Sequence, residues 1–233
     1  MNADVLPKAR PESFALVASP WHTAVVLAAI GFLVFRGRIQ AEQMRAAVNP
    51  DRIALYERIL LTEWLSLGLV LAGVWLNGVS LLAVLGDRWR SAREFLRDAG
   101  IGVLFLFASV AISSIFGGHG GPADRATNFL LPQGALQIGL WILISITAGI
   151  CEEAIYRGYL QKQFTALTNH ASAGIVVSAL LFGIGHSYQG WRRASAISLL
   201  GAMAGILAYW RRSVRPGMLG HALQDVLGAF VRH

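Results

Sequence analysis

Hydrophobic residues come in runs along this chain rather than in alternation, and charged residues collect between the runs. Seven apolar segments stand out: residues 21–35, 59–85, 100–116, 135–150, 171–186, 194–210 and 217–231. A helix needs about 20 apolar residues to cross a bilayer's hydrocarbon core, and a spanning helix satisfies all of its own backbone polar groups there. The pattern therefore predicts an all-α fold, a polytopic transmembrane helical bundle of about seven or eight spans, with several spans on the short side.

The connections are as informative as the runs. Residues 1–20 are polar and interrupted by Pro7, Pro11 and Pro20, and read as an N-terminal tail. Residues 21–134 form an N-terminal transmembrane region with charged connections. Its first run is closed by Arg36 and Arg38; the lead-in is long for a signal peptide and no clear cleavage site follows, so the run reads as a retained span. Residues 37–58 read as a soluble or interfacial helical connection broken at Asn49-Pro50. Glu63, near the start of the second run, is expected at headgroup level as a solvated end residue. Residues 87–98 form a second charged connection. His119 lies in the glycine-rich stretch 117–122 and reads as a loop residue.

Composition sharpens this picture. The chain is 55% hydrophobic and 14% charged, against about 25% charged in ordinary soluble domains. Its net charge of +7 comes from 20 Lys and Arg. These flank apolar runs, where they meet anionic headgroups, so the basic balance implies a lipid bilayer partner and no nucleic acid. An integral, multi-pass protein of the cell (inner) membrane is expected. Orientation stays open, because nine basic residues fall on one side of a seven-span topology and eleven on the other.

Ionisable groups at membrane depth cost about 2.5–3.5 kcal/mol each on insertion scales, so their placement carries the chemistry. Glu152 and Glu153 end the fourth run, and Arg157 follows. On a helix Glu153 and Arg157 are i and i+4 and can pair on one face, while Glu152 is rotated by about 100° and free to act as a base. Cys151 faces away from its neighbour and reads as a packing residue. The fifth run ends in His186, in Phe182-Gly-Ile-Gly-His186, and the last carries His221 and Asp225 one turn apart. Singly, these are an ion pair, an interfacial histidine and a helix–helix hydrogen bond. Jointly they form a water-activating or metal-binding constellation on three spans. HExxH is absent from the sequence. A membrane transporter would also carry such groups but would be expected to show repeats, which this chain lacks. A non-proteolytic scaffold is the other alternative.

Glu152-Glu153-x-x-x-Arg157, Phe182-x-x-x-His186 and His221-x-x-x-Asp225, in this order on successive apolar segments, resemble the three motifs of the CPBP intramembrane proteases, the CAAX-protease and bacteriocin-processing (Abi) family. The resemblance covers residues 135–233 as a CPBP-like catalytic helical core. It implies an intramembrane endopeptidase, acting on a membrane-associated protein or peptide near the membrane surface. Glu152 would activate a water with help from His186, Glu153 and Arg157 would support the motif helix, and His221 with Asp225 would polarise the carbonyl and stabilise the oxyanion. Many members carry Asn where this chain has Asp225, which would then orient His221, bind a cation or be protonated. A glutamate-type mechanism with no cofactor is the favoured implication. The alternative is a zinc peptidase whose ligands would be Glu152, His186, His221 and Asp225.

Overall fold

The structure is a computed structural model and describes residues 14–117, 127–228 and 230; His119 lies outside these residues. Among the described residues every regular element is a helix, and there is no strand. Helix α1 (Pro20–Ala46) starts at Ser19, whose hydroxyl accepts the His22 N–H at 3.2 Å, with Pro20 in the first helical position. It does not stop at Arg36 and Arg38. Both side chains are exposed on its flank, where long cationic side chains reach water or headgroups without interrupting the helix. The first apolar run and the start of the expected connection are thus one helix of 27 residues.

The break predicted at Asn49-Pro50 is present. Asp51 then caps α2 (Arg52–Leu76), accepting the Ala54 N–H at 3.0 Å. The second apolar run does not remain helical to Leu85. It turns at Asn77 and Gly78, the latter at φ 71°, a left-handed conformation that glycine adopts without steric cost. A short helix α3 (Leu82–Leu85) follows. Helix α4 (Ala92–Gly117) is anchored by the buried Asp98, whose carboxylate accepts from Trp89 Nε1 at 3.0 Å and Arg211 Nη2 at 3.2 Å.

Helix α5 (Ala135–Glu152) passes without interruption into a π-helical segment, Glu153–Leu160, and then into α6 (Gln161–Thr168), a continuous run of 34 residues. Asn169 ends it in the left-handed conformation, φ 57°. Helices α7 (Ala171–Gly185), α8 (Trp191–Arg211) and α9 (Arg215–Gly228) complete the bundle. All seven apolar runs are therefore helical over most of their described residues. Among the described residues five helices are long and apolar enough to cross a membrane, while α7 and α9 have 15 and 14 residues.

The α5–π–α6 run is the axis of the fold. α2 packs along α5, α9 packs against both α4 and α5, and α7 lies against α6 and α8. Apolar side chains gain little from leaving lipid for protein, so close backbone approach through small residues matters more than in water. A Cβ on Gly149 would stand 2.8 Å from the Met218 carbonyl and 2.9 Å from the Ala222 nitrogen, so α5 and α9 touch backbone to backbone. We expect Gly149→Leu to force these helices apart and to cost at least the roughly 1–3 kcal/mol of overpacking. Unfolding in detergent measures this, and an unchanged stability would contradict the close contact.

The amino-terminal lead-in joins this axis. Val17 and Ala18 are buried, and Gln163 on α6 clamps them: its Oε1 accepts both backbone N–H groups at 3.0 and 3.2 Å, and its Nε2 donates to the Ala18 carbonyl at 2.8 Å. His22 reaches inward as well. Its Nε2 contacts the Leu69 carbonyl at 3.0 Å, which can only accept, so Nδ1 is left to accept from the Tyr159 hydroxyl at 2.8 Å.

Candidate active site

The π segment opens the site. All eight of its residues are buried, and its wide turn is visible where the Gln161 N–H reaches back five residues to the Tyr156 carbonyl, which also accepts from Ser178 Oγ at 2.7 Å. Single π turns are rare and occur mostly at functional sites. Gly158 lets this turn pack under α3, since a Cβ there would stand 2.2 Å from the Val84 carbonyl.

Glu153 and Arg157 form an ion pair at 2.9 Å, with both side chains 2% exposed. Arg157 Nη1 and Nε lack a well-aligned acceptor, so the contact is ionic rather than a directed hydrogen bond. The guanidinium also lies over the Phe182 ring, 4.2 Å from its centroid, a second stabilising contact for a desolvated cation. Glu153 thus sits between Arg157 and His221, whose Nδ1 is 3.2 Å from its Oε1. A carboxylate only accepts, so this nitrogen donates.

The other face of the His221 ring system meets Glu152 and Asp225. Nε2 is 3.6 Å from Glu152 Oε2 and 3.5 Å from Asp225 Oδ2. Asp225 comes from the next turn of α9, and its backbone carbonyl accepts from Trp141 Nε1 on α5 at 2.9 Å, which ties the two helices on the side of the site. Glu152 Oε2 is buried without an N–H or hydroxyl partner. A buried carboxylate oxygen with no protein donor is free to accept from a water or a substrate N–H.

His186 is placed differently. It caps the carboxy-terminal end of α7, and its Nδ1 is 2.9 Å from the Phe182 carbonyl in its own last turn. That carbonyl requires Nδ1–H, which leaves the Nε2 lone pair of the neutral ring available. Among the described residues His186 makes no ion pair with Glu152. It is linked to the cluster through aromatic rings: Phe182 lies 4.8 Å from His186 and 5.9 Å from His221, centroid to centroid. Tyr188 stacks on His186 at 6.2 Å. Burial, reinforced by the nearby charges of Glu152 and Asp225, pushes the Tyr188 hydroxyl up to about 12, so it stays a neutral donor at neutral pH.

Glu63 departs from expectation. It is only partly exposed, and the charges of Glu152, His221 and Asp225 act on its carboxyl. The headgroup-level reading is therefore corrected: Glu63 projects into the bundle. The available signal was spacing. Tyr56, Glu63, Leu67, Val70 and Val74 fall on one stripe of α2, and all but Glu63 are buried. Among the described residues no group of three or more His, Cys, Asp or Glu is arranged to hold a metal ion.

A multi-helix membrane bundle with a carboxylate–imidazole cluster at the junction of α2, α5 and α9 defines the class: a polytopic membrane protein with an embedded polar site. Residues 134–227 match the family model described as type II CAAX prenyl endopeptidase Rce1-like. The match contains all three motifs and agrees with the resemblance to the CPBP intramembrane proteases. No curated protein and no solved structure matches the chain.

Proposed function

We propose that the protein is an intramembrane endopeptidase that hydrolyses a peptide bond near the membrane surface with a water activated by Glu152. The observation that carries this reading is the pair formed by Glu152 Oε2, which lacks a protein donor, and His221 Nε2, 3.6 Å away. A water accepted by this carboxylate would give it a proton as the water oxygen bonds to the scissile carbonyl carbon. The carbonyl π electrons would move onto oxygen, where His221 is positioned to donate. Collapse would then break the C–N bond, and the proton on Glu152 would pass to the leaving amine. The 3.5 Å contact between Asp225 and His221 favours an orienting role for Asp225, since a carboxylate facing the oxyanion directly would repel it. The tautomer held on His186 supports its use as an acceptor toward the same water.

The matched family's description points to prenylated C-a-a-X sequences as the substrate class. A zinc peptidase using Glu152, His186, His221 and Asp225 is the competing reading, and a strong chelator separates the two. We expect cleavage to persist after chelation. Activity lost on chelation and restored by Zn²⁺ would replace the glutamate mechanism with the zinc one.

A further inference from the structure

Tyr188 lies two residues past the second motif, and none of the three motifs includes it. It stands on a short 3-10 turn, Ser187–Gln189, which His186 opens. The Gln189 N–H closes this turn on the His186 carbonyl at 2.9 Å, and the Gly190 N–H closes it on the Ser187 carbonyl at 3.0 Å. Arg45, near the end of α1, donates to the Tyr188 carbonyl. The Tyr188 ring meets the His186 ring at 6.2 Å and 29°, and it packs against the cluster that holds Met44, Phe129 and Ile144. Main chain and ring are therefore both fixed, beside one motif histidine and against a cluster shared with α5, the helix that carries Glu152.

The Tyr188 hydroxyl accepts from Gln189 Nε2 at 3.0 Å, which orients it and strengthens it as a donor. Among the described residues it donates to no acceptor. The charges of Glu152 and Asp225 act on it, so it lies within electrostatic reach of both carboxylates. We propose that Tyr188 is a catalytic residue, the second donor to the oxygen of the scissile carbonyl as negative charge develops there. This rests on the peptidase reading. The need for a second donor follows from His221. Its Nδ1 donates to Glu153, and its Nε2 stands between Glu152 and Asp225, so a hydrogen on Nε2 is contested by two carboxylates before any substrate arrives. The phenol hydrogen has no such competitor. It forms a hydrogen bond and stays on the phenol oxygen throughout, so no proton is transferred. An uncharged carbonyl oxygen attracts this donor weakly and a charged one strongly, which places the effect in the transition state and not in ground-state binding.

The test is Tyr188→Phe, which removes one oxygen and keeps the ring against His186. On a farnesylated C-a-a-X peptide, kcat should fall about a hundred- to a thousandfold, the contribution of one oxyanion donor, at nearly unchanged KM. A second readout needs no turnover. The same peptide with a phosphinate in place of the scissile amide carries a charged oxygen where the oxyanion forms. It should bind Tyr188→Phe about a hundredfold more weakly than wild type. The cleaved farnesyl peptide should bind both proteins alike, which also shows that the variant is folded. Wild-type kcat in Tyr188→Phe, a loss confined to KM, or equal phosphinate affinity in the two proteins would overturn the proposal and leave the peptidase reading standing. A wild-type protein that cleaves nothing would overturn the peptidase reading and the role of Tyr188 with it.

Discussion

Replacing Glu152 by glutamine is expected to lower the rate of the proposed peptide-bond hydrolysis by about a hundred- to ten-thousandfold, the usual contribution of a positioned general base, while the protein still inserts and folds. Glutamine keeps the volume of the side chain and one hydrogen-bonding oxygen, so the 3.6 Å neighbourhood of His221 survives. What it lacks is the capacity to take a proton from water. The effect therefore belongs in kcat, with little change in KM. Loss confined to KM would mean that Glu152 binds substrate instead of activating water. The two glutamates separate cleanly in this respect, because Glu153 is already committed to Arg157 and His221.

Replacing Arg157 by leucine has the largest expected effect on stability. The pair is almost wholly buried, and removing one member of such a pair typically costs about 3–5 kcal/mol, because the other is left uncompensated. Here Glu153 would retain only His221, and its Oε2 already lacks a partner. The guanidinium also fills space against Phe182, so its loss empties the region between the π segment and α7. The double variant Glu153→Gln with Arg157→Leu removes the orphaned charge and should recover a substantial part of the loss. Unfolding of purified protein in mixed micelles reports both. A single variant as stable as wild type would show that the pair contributes nothing net.

The parts of this molecule that were legible in the sequence are those set by local pattern. Apolar runs bounded by arginines give helices, because no other open structure satisfies the backbone in lipid. Glu153 and Arg157 give their ion pair because they are one turn apart on the same segment. What escaped depends on contacts between segments. The π turn follows from how Glu153–Leu160 is enclosed on all sides, including the approach of Val84 to Gly158 from more than 70 residues away. The end of α2 at Leu76 hides inside an apolar run because Asn77 and Gly78 interrupt it without adding charge. Glu63 reads as a headgroup residue when its distance from the start of the apolar run is equated with its depth. The helix begins at Arg52, seven residues earlier than the run, which places Glu63 in its fourth turn and beside Glu152. His186 shows the converse. Its place in the motif was read directly, but its link to the cluster runs through Phe182 and Tyr188 and not through a hydrogen bond.

The central claim, water activation by Glu152, is tested most directly with purified wild-type protein and Glu152→Gln in lipid vesicles. Both are given a farnesylated C-a-a-X peptide in heavy-oxygen water, and the products are weighed by mass spectrometry. The wild type is expected to cleave internally, with heavy oxygen in the newly formed carboxylate, and the variant little or not at all. Cleavage by Glu152→Gln at the wild-type rate would contradict it.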